Sequence, residues 1–375
     1  MQREMVRGQA RTLLRKKVYA EFGDANAAAS LPGLCTALFA EQEKRWPVLR
    51  DGYELLKHIQ ERLLPCNGFS VLLQYNPGRM KSTLAAVGEQ DVNNRPCFLC
   101  IAQLPEAQKG VLYRDKYLIL CNPMPVFSAH FTIADIEHRS QEIFGDIPAF
   151  LQLMTDFGQG WTILYNGAQC GASAPDHFHF QAVPSGVLPI EREILNRDRL
   201  VQIARKDEVV SYLAKDAGRA VIVLEGDAPV ALGAALRALI DSLKKVLGAS
   251  DEPMLNLVGL HKDNRVMGLH SDHGCQGARG KGKTNYSHGS EWQILLFPRR
   301  KHRPEAFFRT GDDRIAISPA VVEMGGVLVA PFARDFERLD APAVESIYRE
   351  VSLDEESVTR AIETMLSSKA HSTSS

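Results

Sequence analysis

The residues best suited to chemistry lie in "GASAPDHFHFQ", residues 171 to 181, where two of the chain's eleven histidines stand one residue apart. On a strand, His177, His179 and Gln181 share one face while Phe178 and Phe180 share the other, so the phenyl rings can enter a core and leave a polar row to be explained. Three readings are open. The imidazoles can hold a metal, although glutamine is a poor third ligand for zinc or iron. They can be structural histidines with satisfied partners. Or one imidazole can attack a phosphorus atom while its neighbours hold the phosphate oxygens. The preceding run "YNGAQCGASAPD" favours the third, because its small residues let the backbone approach a ligand and offer Asn166, Ser173 and main-chain amides as neutral donors. Gln181 can bind a phosphate oxygen without changing charge.

Three further motifs bear on this. In "RPCFLC", Cys97 and Cys100 have the spacing of half a tetrahedral zinc site. His130 and His177, both on expected strands of the same half, are the leading partners; His138, His270, His273 and His288 are also available, and two plain reduced thiols are the bland alternative. "GARGKGKT", Gly277 to Thr284, matches the phosphate-loop pattern but has neither a strand before it nor a helix after it, so it reads as a glycine- and lysine-rich loop, expected over 274–290, that can close over a phosphate-bearing substrate. The basic run "FPRRKHRP" supplies Arg299, Arg300, Lys301 and Arg303, which together with Arg79 are the local positive charge an anionic acceptor needs; a solvated turn is the alternative.

These groups need elements to hold them. Residues 1–65 read as a helical preface, with three-to-four apolar spacing in "DGYELLKHIQERLL". A first unit over 66–188 alternates short β-rich runs with one helix around "IPAFLQLMTDFG", and 189–224 reads as a connector. A second unit over 225–332 repeats the pattern, with a helix in "APVALGAALRALIDSLKKVLG" followed by "MLNLVGL", "EWQILLFP", "RIAISP" and "GGVLVAP" as strands; helices and a tail close the chain over 333–375. The expected class is α+β, as two duplicated halves with antiparallel sheets and flanking helices.

Composition narrows the function. With 44 basic against 45 acidic residues there is no global charge to favour nucleic acid or a membrane surface. The charged N-terminus and the lack of long apolar stretches make the cytoplasm the expected location, with its seven scattered cysteines reduced.

The run "NGAQCGASAPDHFHFQ" resembles the active-site signature of the transferase branch of the histidine-triad superfamily, the galactose-1-phosphate uridylyltransferases and dinucleoside-tetraphosphate phosphorylases, in which His-x-His-x-Gln replaces the hydrolases' third histidine. "QYNPGR", Gln74 to Arg79, resembles a segment of the GDP-hexose phosphorylases, such as the GDP-L-galactose enzymes, and "PVFSAHFTIADIEH" resembles the histidine-triad strand. The resemblance implies duplicated histidine-triad halves and nucleotidyl transfer from a nucleotide sugar or dinucleoside polyphosphate to phosphate or a sugar 1-phosphate. It implies His179 as nucleophile, Gln181, Ser173 and Asn166 as phosphate contacts, and, by analogy with the uridylyltransferases, zinc on Cys97, Cys100, His130 and His177. Ser173 stands one position further from the histidine pair than in those enzymes, and the GDP-hexose phosphorylases lack the metal site. A binding protein for nucleotides or zinc without turnover, or a nucleotide hydrolase, are the alternatives.

Overall fold

The computed structural model describes residues 11–24, 29–84, 95–262 and 292–367. Its strands are β1 (Val18–Phe22), β2 (Gln60–Pro65), β3 (Ser70–Tyr75), β4 (Gly110–Tyr113), β5 (Tyr117–Cys121), β6 (Phe131–Asp135), β7 (Trp161–Asn166), β8 (His179–Pro184), β9 (Leu200–Lys206), β10 (Val209–Ala214), β11 (Ile222–Gly226), β12 (Leu255–His261), β13 (Trp292–Pro298) and β14 (Val327–Ala330). The principal helices are α1 (Leu31–Arg45), α2 (Pro47–Leu56), α3 (Ile147–Phe157), α4 (Pro229–Leu247), α5 (Val321–Met324), α6 (Ala341–Val351) and α7 (Glu355–Ser367).

The duplication is explicit in the topology. Eleven strands form one sheet in the order β1-β4-β5-β6-β8-β7-β12-β13-β11-β10-β9. Outward from its centre, β7-β8-β6-β5-β4 on one side answers β12-β13-β11-β10-β9 on the other. In chain order, β4-β5-β6-α3-β7-β8 repeats as β9-β10-β11-α4-β12-β13. The halves join where β7 pairs antiparallel with β12, Leu164 opposite Val258.

One face of this sheet carries Ile163, Tyr165, Phe178, Phe180, Leu257 and Ile294, which pack with α1, α3 and α4. Burying rings such as Phe178 and Phe180 contributes roughly 1.5–3 kcal/mol each. The helices fit closely: a Cβ on Gly259 of β12 would meet Met154 Sδ at 2.6 Å and Phe150 Cζ at 2.7 Å. The other face, with Leu164, Val183, Val258, Leu295 and Phe297, packs on a second layer built from β2, β3, β14, α5 and α6. His179 and Gln181 belong to this second face.

Three expectations change. The opening 65 residues hold two strands, β1 and β2, beside their helices, because Val18–Phe22 adds an edge to β4 and Gln60–Pro65 forms a hairpin with β3. The stretch 189–224 is no plain connector: it carries β9, β10 and the start of β11, the first three strands of the second repeat. "RIAISP" is not a strand; its backbone is held by local turns and side chains, as where Ile315 N–H donates to the Ala306 carbonyl at 2.9 Å and Asp335 Oδ2 accepts from Ala316 N–H at 2.8 Å. Among the described residues no helix is long and apolar enough to cross a membrane, and no described cysteine is in a disulfide.

Candidate active site

β8 begins at His179, and three backbone hydrogen bonds fix where it begins. Phe178 N–H donates to the Arg139 carbonyl at 2.7 Å, Asp135 N–H to the Phe178 carbonyl at 2.9 Å, and His179 N–H to Gln141 Oε1 at 2.7 Å. Gln141 also donates from Nε2 to the carbonyls of His179 and Asn166, each at 2.8 Å, so one buried amide ties the ends of β7 and β8 together. Arg139 stacks on Phe178 with 3.9 Å to the ring centroid and is held by Asp135 and Asp146. Neither Gln141 nor Arg139 belongs to a motif; their only sequence signal is nearness to "IADIEH".

The His179 ring is buried, and its Nδ1 lies 2.8 Å from the His177 carbonyl oxygen. A carbonyl only accepts, so Nδ1 carries the hydrogen and Nε2 keeps its lone pair. Burial pushes the imidazole pKa down to about 4, so it is neutral at pH 7. A neutral, oriented imidazole with a free Nε2 is what nucleophilic attack on phosphorus requires.

Gln181 is half-buried on the same face. Its Oε1 lies 2.7 Å from His130 Nε2, while Val126 N–H reaches His130 Nδ1 at 3.4 Å. Nδ1 therefore accepts, Nε2–H donates to Gln181, and the glutamine's NH2 is turned away to serve as a donor. Burial, with the nearby Arg79 charge, lowers the His130 pKa to about 4 and keeps the ring neutral.

His130 thus stands apart from the thiols, and His138 stands with them. Ligand atoms of Cys97, Cys100, His138 and His177 all lie within 4.8 Å of one another. Cys97 Sγ is 3.3 Å from His177 Nδ1, and Cys100 Sγ is 3.2 Å from His138 Nδ1 and 3.6 Å from His177 Nδ1. Tetrahedral zinc with ordinary bond lengths has sulfur-to-nitrogen edges of about 3.5 Å. His177 Nε2 donates to the Asp135 carbonyl at 2.8 Å, which leaves Nδ1 as the ligand atom, and His138 Nε2 faces the Asp176 carboxylate at 3.8 Å. The donor set fits a structural zinc. His130 stands just before β6 and faces Gln181, whereas His138 reaches the thiols from the loop after β6; sequence alone had both available.

The remaining expected contacts separate. Asn166 is buried, and its Oδ1 accepts from Asn256 Nδ2 at 2.8 Å and Val321 N–H at 2.7 Å, so it braces β12 and α5. Arg299 is 1% exposed and spends its donors on the Val351, Pro319, Lys301 and His302 carbonyls and on Asn256 Oδ1. Arg300 caps the carbonyls of Arg349 and Glu350, and Lys301 pairs with Glu305 and Glu350. None of these three reaches the site. Arg79, Ser173 and Arg303 do meet, around one small polar cavity. The largest cavity described, about 580 Å³, lies beyond the opposite end of β8 and contains none of these groups. The 274–290 loop, with His270, His273 and His288, falls outside the described residues.

The protein thus has a duplicated fold that presents His179 and Gln181, from a His-x-His-x-Gln row, on one face of its large sheet. Its fold is shared with yeast Ap4A phosphorylase Apa2. The complex with AMP matches with a TM-score of 0.53 at 14% identity, over 85% of this chain and 96% of the yeast chain. The complex with Ap4A gives 0.52 at 14%, over 84% and 97%. An ADP-glucose phosphorylase from Arabidopsis thaliana with bound ADP-glucose is more distant, with a TM-score of 0.35 at 14% identity over 79% of this chain and 100% of that one. By sequence, residues 38–184 match a domain of unknown function, DUF4922, and residues 287–372 match the GDPGP1-like C-terminal domain. No curated protein matches the sequence.

Proposed function

We propose that the protein is a nucleotidyltransferase that works through a nucleotidyl-histidine intermediate, with a nucleotide sugar or dinucleoside polyphosphate as donor and phosphate or a sugar 1-phosphate as acceptor. The observation that carries this is the His179 hydrogen bond to its neighbour's carbonyl, which frees Nε2 in a buried, neutral ring. The Nε2 lone pair attacks the α-phosphorus, the bond to the leaving phosphate oxygen breaks, and an acceptor oxygen then displaces the imidazole. The hydrogen stays on Nδ1, donated to the His177 carbonyl, in both steps.

Gln181 donates to a phosphate oxygen with its amide held by His130, and the small-residue loop before His177, with Ser173, lines the phosphates. Hydrolysis is disfavoured because an amide cannot shuttle a proton as a third histidine does. Asn166 braces β12 and α5 through its Oδ1. Zinc would be held by Cys97, Cys100, His138 and His177; bound there it supplies no chemistry to the phosphate and staples the 95–100 segment to the strand that presents His179. The arrangement is also consistent with the fold shared with a phosphorylase whose structures hold AMP and Ap4A.

The test is incubation with nucleotide sugars and dinucleoside polyphosphates followed by intact mass at neutral pH, since phosphoramidates are acid-labile. A nucleotidyl adduct that vanishes on adding acceptor supports the reading. A protein that binds nucleotide but never gains the mass is a binding module.

A further inference from the structure

β3 ends in "QYNPGR", Gln74 to Arg79, whose polar side chains turn inward instead of toward solvent. Gln74 and Asn76 are 1% and 3% exposed, and two residues apart they share a face. Each grips one link of a single run of main chain. Gln74 Nε2 donates to the Val126 carbonyl at 3.1 Å, Asn76 Nδ2 to the Pro125 carbonyl at 3.2 Å, and Arg79 Nη1 to the Met124 carbonyl at 2.7 Å. Three successive carbonyls thus meet three donors from one segment. The other amide hydrogens are spent as well, Gln74 on Glu61 Oε1 and Asn76 on Gln74 Oε1, each at 3.1 Å. Neither amide has a hydrogen left for a substrate.

The gripped run needs donors from outside. "NPMPV", Asn122 to Val126, carries proline at two of its five positions, which removes N–H groups and keeps it out of any strand ladder. The donors are themselves anchored, since β3 pairs with β14 and Asn76 N–H donates to the Ala330 carbonyl at 2.9 Å. On its other side the run abuts α2, where a Cβ added to Gly52 would sit 2.1 Å from the Pro123 carbonyl oxygen.

What this run presents to the site is the Val126 N–H, 3.4 Å from His130 Nδ1. That contact selects between two tautomers. With its hydrogen on Nε2, His130 donates to Gln181 Oε1 at 2.7 Å, and the glutamine's NH2 is free for a phosphate oxygen. The opposite tautomer has a partner at hand, because Asn122 Nδ2 lies 3.5 Å from Nε2 and is placed to donate to it. A ring with a bare Nε2 would also accept from Gln181, whose amide would turn over and aim its oxygen at the phosphate. An acceptor there repels the anion. We infer that Gln74 and Asn76 are positioning residues: by holding residues 124–126 they keep the Val126 N–H on His130 Nδ1 and so fix the Gln181 amide as a donor. The inference rests on the reading of Gln181 as a phosphate contact. Arg79 shares the grip, but its charge also reaches His130, so it does not isolate the effect.

Ring 15N NMR of protein labelled at histidine reads the tautomer directly, because ring nitrogens with and without hydrogen resonate far apart; loss of signals in His130→Leu assigns them. The wild type should carry the His130 hydrogen on Nε2. Gln74→Met and Asn76→Ala should each let the Nδ1–H form appear in about a tenth of the rings or more, and should slow adduct formation from dinucleoside polyphosphates and nucleotide sugars severalfold. In a Gln181→Ala background the same changes should alter that rate by less than about twofold. A role confined to holding the loop would lower the melting temperature and leave the tautomer as in the wild type; that result in the folded variants overturns the inference. A wild-type ring with its hydrogen on Nδ1 overturns it with no variant needed. If the wild type forms no adduct, the covalent reading falls separately, and the tautomer shift still decides whether the segment positions His130.

Discussion

The two halves of the sheet place a glutamine at the same point and use it differently. Gln181 on β8 stands opposite Leu164 of β7, and Gln293 on β13 stands opposite Leu260 of β12. In the first half the glutamine is half-buried, faces His130, and follows His179 by two residues. In the second, Gln293 is 2% exposed and hydrogen-bonds through Nε2 to Glu225, which is itself gripped by both Nη atoms of Arg197 at 2.7 and 2.9 Å. The sequence has Glu291 and Gly289 where the first half has His179 and His177. A duplicated fold therefore offers two cradles, of which one carries an imidazole. The second half serves the first: Asn256 and Val321 hold Asn166 at the end of β7, and Arg303 shares a cavity with Ser173.

Exchange of roles would break this comparison. His179→Ala should abolish the nucleotidyl adduct and lower turnover about a thousandfold or more, with little change in melting temperature, whereas Gln293→Ala should leave adduct formation intact. Label exchange at near wild-type rate in His179→Ala would show that the asymmetry of the halves is not catalytic.

The metal cluster is found in the first half alone among the described residues, so its loss should hurt that half. Cys97→Ser and His138→Ala should each lose about one zinc per chain by elemental analysis and cost several kcal/mol of stability. His130→Ala should keep the metal. A variant lacking His138 that retains full zinc would return His130 to the ligand set.

The amide geometry sharpens the contrast. Gln181→Ala and His130→Leu should each slow adduct formation about 10- to 100-fold, and the double variant should be little worse than either, because His130 acts through Gln181. Additive losses would mean that His130 works independently of the amide.

The smallest effect is one of pH. Glu323 has a folded pKa of about 7, raised by burial above its ordinary 4.5, so between those values the folded state holds a proton that the unfolded state has released. Stability therefore falls as pH rises through that window, by up to about 1.4 kcal/mol per pH unit. Glu323→Gln keeps the acceptor for Ala320 N–H and should flatten the profile of unfolding free energy between pH 5 and 7.5; an unchanged slope would mean the carboxyl is ionised.

Much of this was legible in the chain. Alternation in "HFHFQ" put Phe178 and Phe180 in the core and His179 and Gln181 on the opposite face, because side-chain direction on a strand depends only on parity. The repeated order of strands and one helix could be read from periodicity, and the Cys-x-x-Cys spacing pointed to its own cluster. Tertiary structure alone decided the partners. His130 and His138 lie on one segment, and only the pairing of β6 with β8 turns His130 to Gln181 and lets His138 fold back to the thiols. Four cations in "FPRRKHRP" are equivalent as sequence; the chain's path after β13 buries Arg299 under carbonyls, turns Arg300 and Lys301 to α6, and leaves Arg303 at the cavity. Spacing fixes which side chains share a face, whereas which ones meet depends on contacts between residues far apart in the chain, and no local pattern encodes those.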